Sequence, residues 1–127
     1  MSEIPEDLQY TVEHEWIRFE GDECVVGITD HAQNALTDVV WVELPEVGAE
    51  FVLMDAFASI ESVKSVSDIH APLAGIVIAV NDALEDQPEL VNEAPYGAGW
   101  IARFQLTARP DHGSLLDASG YAATIGE

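Results

Sequence analysis

The chain has 127 residues, 48% of them apolar, which is enough for one hydrophobic core and too apolar for a disordered segment. Asp and Glu number 24 against four Lys plus Arg, a net charge of −20, so no basic patch is available to neutralise nucleic-acid phosphates or anionic lipid. No apolar run approaches the roughly 20 residues that a membrane-spanning helix needs, and residues 1–127 are expected to form a single domain.

In chain order, Tyr10-Thr11-Val12 and Trp16-Ile17-Arg18-Phe19 read as short strands, and Gly21-Asp22 as a turn into a strand over Cys24-Val25-Val26-Gly27-Ile28. Thr29 supplies a capping hydroxyl ahead of a helical stretch from Asp30 to Leu36, with Ala32, Ala35 and Leu36 near one face. Val39 to Leu44 is β-branched and aromatic, and Pro45 ends it because proline has no N–H for a central ladder. A surface loop through Gly48 follows.

The centre of the chain holds its only lysine. Ala56 to Val63 and Ser65 to Pro72 pair as two arms with Lys64 at the bend. A chain that has lost every other ammonium and kept this one at a hairpin tip is expected to use the amine for chemistry, since rigid arms fix the side chain while the tip stays accessible. Leu73-Ala74-Gly75 turns the chain into Ile76 to Val80, a continuous apolar strand of the kind buried in a small sandwich. One helical turn is expected within Glu85 to Asn92, then a glycine break at Gly97-Ala98-Gly99 and a strand from Trp100 to Leu106. Ser114 to Ile125 reads as a terminal helix, weakened by Gly120 at about 1 kcal/mol. Many short strands separated by frequent turns predict an all-β sandwich or flattened barrel with little helix.

The remaining candidates are weaker. Cys24 is expected to be a buried small apolar group, and with no second cysteine it forms no internal disulfide. His14, His31, His70 and His112 lack the close spacing of a zinc site, so no metal is expected. Trp16, Trp41 and Trp100 are all expected in the core. The segment Met1 to Glu6 has neither the basic nor the apolar part of a signal peptide, which points to the cytoplasm. An acidic, lysine-poor composition resembles that of proteins from cells with a high-salt cytoplasm.

Glu61-Ser62-Val63-Lys64-Ser65-Val66-Ser67-Asp68 resembles the lipoyl-attachment sequence of the glycine cleavage system H proteins. The resemblance continues through His14-Glu15-Trp16, Val26 to Gln33, Val42-Glu43-Leu44-Pro45, Ala71 to Gly75, Val80-Asn81 and Pro95 to Trp100, covering nearly the whole chain. It implies a barrel-sandwich hybrid of the lipoyl/biotinyl-carrier kind, mainly β, with short peripheral helices and a C-terminal helix. It further implies that Lys64 carries lipoate in amide linkage. The chain would then be a carrier rather than a catalyst, taking an aminomethyl group from a pyridoxal-phosphate glycine decarboxylase to a tetrahydrofolate-dependent aminomethyltransferase. Dihydrolipoamide dehydrogenase and a lipoylating enzyme complete the implied partners. Glu15, with His14 beside it, matches a family position near the docked arm; read by itself, Glu15 is an exposed strand charge. Some relatives have histidine where this chain has Ala35, and Leu53-Met54-Asp55 departs from a turn that often holds lysine and glycine. A lipoyl relay for other systems shares the attachment site. A biotin carrier would flank its lysine with methionines, whereas Lys64 lies between Val63 and Ser65.

Overall fold

The computed structural model describes residues 3–107 and 115–126. Nine strands and four short helices occur among them: β1 (Gln9–Tyr10), β2 (Glu15–Glu20), β3 (Glu23–Ile28), α1 (Asp30–Leu36), β4 (Val39–Glu43), β5 (Glu50–Phe51), β6 (Ala56–Ser62), β7 (Val66–His70), β8 (Gly75–Val80), α2 (Ala83–Asp86), α3 (Leu90–Glu93), β9 (Ala102–Leu106) and α4 (Ala118–Thr124). They form two antiparallel sheets, one ordered β1-β2-β3-β9-β8-β5 and the other β4-β6-β7. The expected mainly-β architecture, with short peripheral helices and a C-terminal helix, is present.

The principal core lies between the sheets. Ile17, Cys24, Val26 and Phe104 from the larger sheet meet Val42, Ile60 and Ile69 from the smaller one. Alternate residues of β2 and β3 point the other way, and Trp16 and Val25 pack with Tyr10 and with Tyr121 of α4 in a second cluster. Both faces of β3 are thus covered, which is why Cys24 to Ile28 is buried without interruption. Cys24 sits in this interior as expected, and burial pushes its thiol up to about 12.

Several boundaries differ from the sequence reading. Thr11 and Val12 are not strand; they enter a turn that brings the Thr11 amide to the Glu15 carbonyl at 3.0 Å. Ile76 to Val80 lies in β8 as expected, with Val77 in the core, Val80 packed against it and Ile78 37% exposed. The stretch from Glu85 to Asn92 belongs to two single-turn helices rather than one. β9 starts at Ala102, two residues after Trp100. The terminal helix begins at Ala118, since Leu116 is spent on a bridge to Tyr10, with amide and carbonyl exchanged at 2.7 and 2.8 Å. Ser114 and His112 lie outside the described residues. In α1, Gln33 and Leu36 are the buried residues and Ala35 is exposed. Trp16 is fully buried and Trp100 partly so, but Trp41 is 51% exposed, contrary to its expected core position. Among the described residues, no helix is long and apolar enough to cross a membrane.

Candidate functional site

Lys64 stands at the turn between β6 and β7, whose register runs from Ala56↔His70 to Glu61↔Val66. Ser62 builds that turn. Its amide donates to the Ser65 carbonyl at 2.8 Å, and its hydroxyl accepts from the amides of Lys64 at 3.2 Å and Ser65 at 3.0 Å. The Val63 amide donates to the Asp38 carbonyl at 3.0 Å, tying the tip to the start of β4. The backbone beneath Lys64 is therefore fixed while its side chain is exposed, and among the described residues it forms no ion pair.

A cleft of about 350 Å³ opens one residue from Lys64, with Ser65, Ser67, Asp68 and Ile69 on its hairpin side. Ile28, Ala32, Leu36 and Ile60 make its apolar wall, and Glu13, His14 and Glu15 line another side. Glu15 is only 3% exposed, so it is not the exposed strand charge its sequence position suggested. Thr11 donates its hydroxyl to Glu15 Oε1 at 2.6 Å, and the His70 amide donates to Oε2 at 3.4 Å. Burial pushes the Glu15 carboxyl above its usual range, and these two donors only partly offset that.

His14 occupies the left-handed region at φ 71, a conformation that turns the chain sharply between Glu13 and Glu15. Its Nδ1 is 2.8 Å from the Tyr121 hydroxyl, which is also 2.7 Å from Thr29 Oγ1. Thr29 in turn caps α1 by accepting from the Ala32 amide, so β2, α1 and α4 meet at one hydrogen-bonded node behind the cleft. Burial and the neighbouring His31 hold the His14 ring below its ordinary pKa. The His14 and His31 rings are 4.9 Å apart, closer than their sequence scatter implied, yet no group of three metal-ligating side chains occurs among the described residues.

Both cleft residues expected from sequence, Glu15 and His14, are thus brought to the same cavity beside the Lys64 hairpin. Thr11, Asp68, His70 and Tyr121 were not foreseen. Nothing local marks them: Thr11 reaches Glu15 only through the left-handed turn at His14, which is not a glycine, and Tyr121 lies 107 residues from its histidine. Ala35 lines the cleft and presents a methyl group at the position where the resemblance places histidine in some family members. The departure at Leu53-Met54-Asp55 is accommodated by Met54 at φ 75, with its amide donating to the Ala71 carbonyl at 2.8 Å.

The residues present fit an amide-linked, largely apolar arm ending in a dithiolane. An accessible amine on rigid arms adjoins a cleft with an apolar wall and a carboxylate-bearing side.

The glycine cleavage H-protein family model matches residues 8–127. A glycine cleavage system H protein of Marinomonas sp. (strain MWYL1) is 58% identical over 98% of this chain and 99% of its own length. Another from Photorhabdus laumondii subsp. laumondii is 54% identical over 100% of this chain and 98% of its own. The crystal structure of a glycine cleavage system H protein from Mycobacterium marinum superposes with a TM-score of 0.90 at 43% identity, covering 98% of this chain and 100% of that one. The chain belongs to the glycine cleavage H-protein family.

Proposed function

We propose that Lys64 is the residue that carries lipoate, and that Glu15 and His14 form the end of the cleft in which the arm docks. The chain is a carrier component of the glycine cleavage system and not itself a catalyst. Its family works with glycine decarboxylase, aminomethyltransferase and dihydrolipoamide dehydrogenase. The observation that carries the Lys64 assignment is the hairpin: the only lysine of the sequence projects from a tip whose backbone is pinned by Ser62 and Asp38.

When attached, the lipoyl group supplies a disulfide that accepts, carries and gives up an aminomethyl unit. The protein's own residues supply the rest. Ile28, Leu36 and Ile60 exclude water from the cleft, and Glu15 offers a carboxyl group to a cationic cargo. His14 holds the turn that presents Glu15. Residues 1–127 act as one carrier domain in this reading. The acidic excess suits a cytoplasm of high salt, where self-repulsion is screened.

Lys64→Arg keeps the charge and the fold but removes the nucleophilic amine. Incubation with a lipoate ligase, lipoate and ATP is expected to leave its intact mass unchanged while the wild type is modified. Modification of the variant would overturn the assignment, since the sequence has no second lysine. Glycine–bicarbonate exchange with reconstituted partners tests the shuttle role. A protein that accepts lipoate at Lys64 and fails that exchange would be a relay for other lipoyl-dependent systems.

A further inference from the structure

β4 runs beside the base of the Lys64 hairpin, pairing Val39 with Ser62 and Trp41 with Glu61, with Val40 as the extra residue of a bulge. The bulge breaks the alternation of the strand. Val40 and Trp41 both face outward, 48% and 51% exposed, while Val39 and Val42 are buried. Trp41 pairs with Glu61, and Glu61 with Val66, so the three side chains stand in a row on the outer face of the smaller sheet. Val63 and Val66 are 68% and 65% exposed. An apolar surface of Val40, Trp41, Val63 and Val66 thus adjoins Lys64, bordered by the exposed acids Asp38, Glu43, Glu61 and Asp68. The core needs none of these four, because Val42, Ile60 and Ile69 already fill the inner face of the same sheet. A half-exposed tryptophan among valines, with a charged border, has the composition of a binding surface.

We propose that this face is the docking surface for the enzyme that acylates Lys64, an inference that rests on Lys64 being the attachment site. The chemistry selects that occupant. Acylation forms a bond from Lys64 Nζ to the carbonyl carbon of an activated lipoyl group, such as an acyl-adenylate. The carbonyl C–O bond to the phosphate breaks, the phosphate leaves with the electron pair, and the ammonium gives up two protons to solvent. The acylating enzyme must place its reactive carbon at bonding distance from Nζ, and therefore contacts residues within a few positions of Lys64 on the hairpin and on the strand beside it. Enzymes that act on the far end of the arm meet the amine an arm's length away. Charge narrows the choice further. On a chain of net charge −20, an acid-bordered apolar face suits a partner with an apolar centre and a basic edge, and it repels a second copy of itself.

The test is steady-state lipoylation of the unmodified protein by a lipoate–protein ligase with lipoate, ATP and magnesium, read by intact mass. Wild type is compared with Trp41→Ser, Val66→Ser and the control Val47→Ser, whose valine is 62% exposed in the loop after β4. Trp41→Ser is expected to raise the KM for the carrier protein about tenfold, with kcat held within about twofold. Val66→Ser should raise it less, and Val47→Ser should not move it. Thermal midpoints should stay together, and fully lipoylated Trp41→Ser should be reduced by dihydrolipoamide dehydrogenase at the wild-type rate. An unchanged KM in both variants would overturn the proposal. So would a rise matched by the control, or a wild-type dimer in sedimentation that Trp41→Ser dissolves, which would assign the face to a second copy. Modification of Lys64→Arg would instead remove the attachment site on which the proposal stands.

Discussion

Glu15 and His14 are neighbours with opposite electrostatic problems. Burial favours the neutral form of each, raising the carboxyl and lowering the imidazole. For His14 the folded pKa lies below the unfolded value of about 6.5. Its contribution to stability is therefore complete above that value and is lost as pH falls through the folded pKa. The groups facing it are Glu13 and Glu15 in its own turn, His31 on α1 and the Tyr121 hydroxyl on α4. Of these, His31 opposes protonation and Glu13 favours it. His14→Asn removes the titration while tolerating the left-handed backbone. Thermal midpoints of the wild type should fall more steeply between pH 7 and 5, taken as about the range of histidine titration, than those of the variant; parallel profiles would show that His14 is not the group responsible. Glu15→Gln should leave attachment at Lys64 intact and weaken arm docking. The readout is the change in Ile60 and Ile69 methyl shifts on lipoylation, expected to shrink in the variant. His70 belongs to the same neighbourhood, since its amide donates to Glu15 and its buried Nδ1 has no hydrogen-bond partner among the described residues.

Among the elements, the β2–β3 pair bears the heaviest packing demand because it serves both clusters. Trp16 pairs with Gly27 across the ladder and donates its indole N–H to the Pro95 carbonyl at 2.9 Å. The indole lies over the glycine so closely that a Cβ there would fall 2.6 Å from the ring. Glycine is needed at this position for the space. Gly27→Ala should destabilise the fold by about 1–3 kcal/mol, the usual range for an overpacked interior, measured by urea unfolding with an unchanged m-value. A loss under about 0.5 kcal/mol would mean that the Trp16 ring shifts freely. The hairpin of β6 and β7 has a different economy of contacts: its inner residues Ile60 and Ile69 hold the core, its outer residues are exposed, and Ser62 organises the tip. Two strand-like arms on either side of Lys64 made this hairpin legible in the sequence. The bulge at Val40 was not legible, because a bulge depends on the partner strand, and with it went the expectation that Trp41 is buried.

At the scale of the whole molecule, charge dominates. The described ion pairs join Arg18 and Arg103 to Glu20, and Arg103 to Glu23, in one cluster on β2, β3 and β9. Such exposed pairs offset little of a net charge of −20. Stability should therefore rise with potassium chloride beyond ordinary physiological strength, as the screening length shortens from about 10 Å at 0.1 M to about 3 Å at 1 M. Thermal midpoints across that range check this. A flat or falling trend would show that the acidic residues are spaced widely enough to be indifferent to screening, and would remove the support for a high-salt interior.

The sequence by itself determined the mainly-β architecture, the turn at Gly21, the cap at Thr29 and the position of Lys64 at a hairpin tip. Each of these rests on local chemistry: alternating strands, a residue tolerant of positive φ, a hydroxyl before a helix, and two pairing arms around a bend. Tertiary structure decided which charges are buried and which aromatics are not. Glu15 is withdrawn from water where Thr11, in the turn just before it, and the His70 amide, from the distant strand β7, both donate to its carboxyl, and Tyr121 reaches His14 because Leu116 bridges to Tyr10 and brings α4 across the sheet. Burial is a property of what packs against a residue from elsewhere in the chain, and so the cleft beside Lys64, unlike the lysine itself, came into view only when the two sheets were brought together.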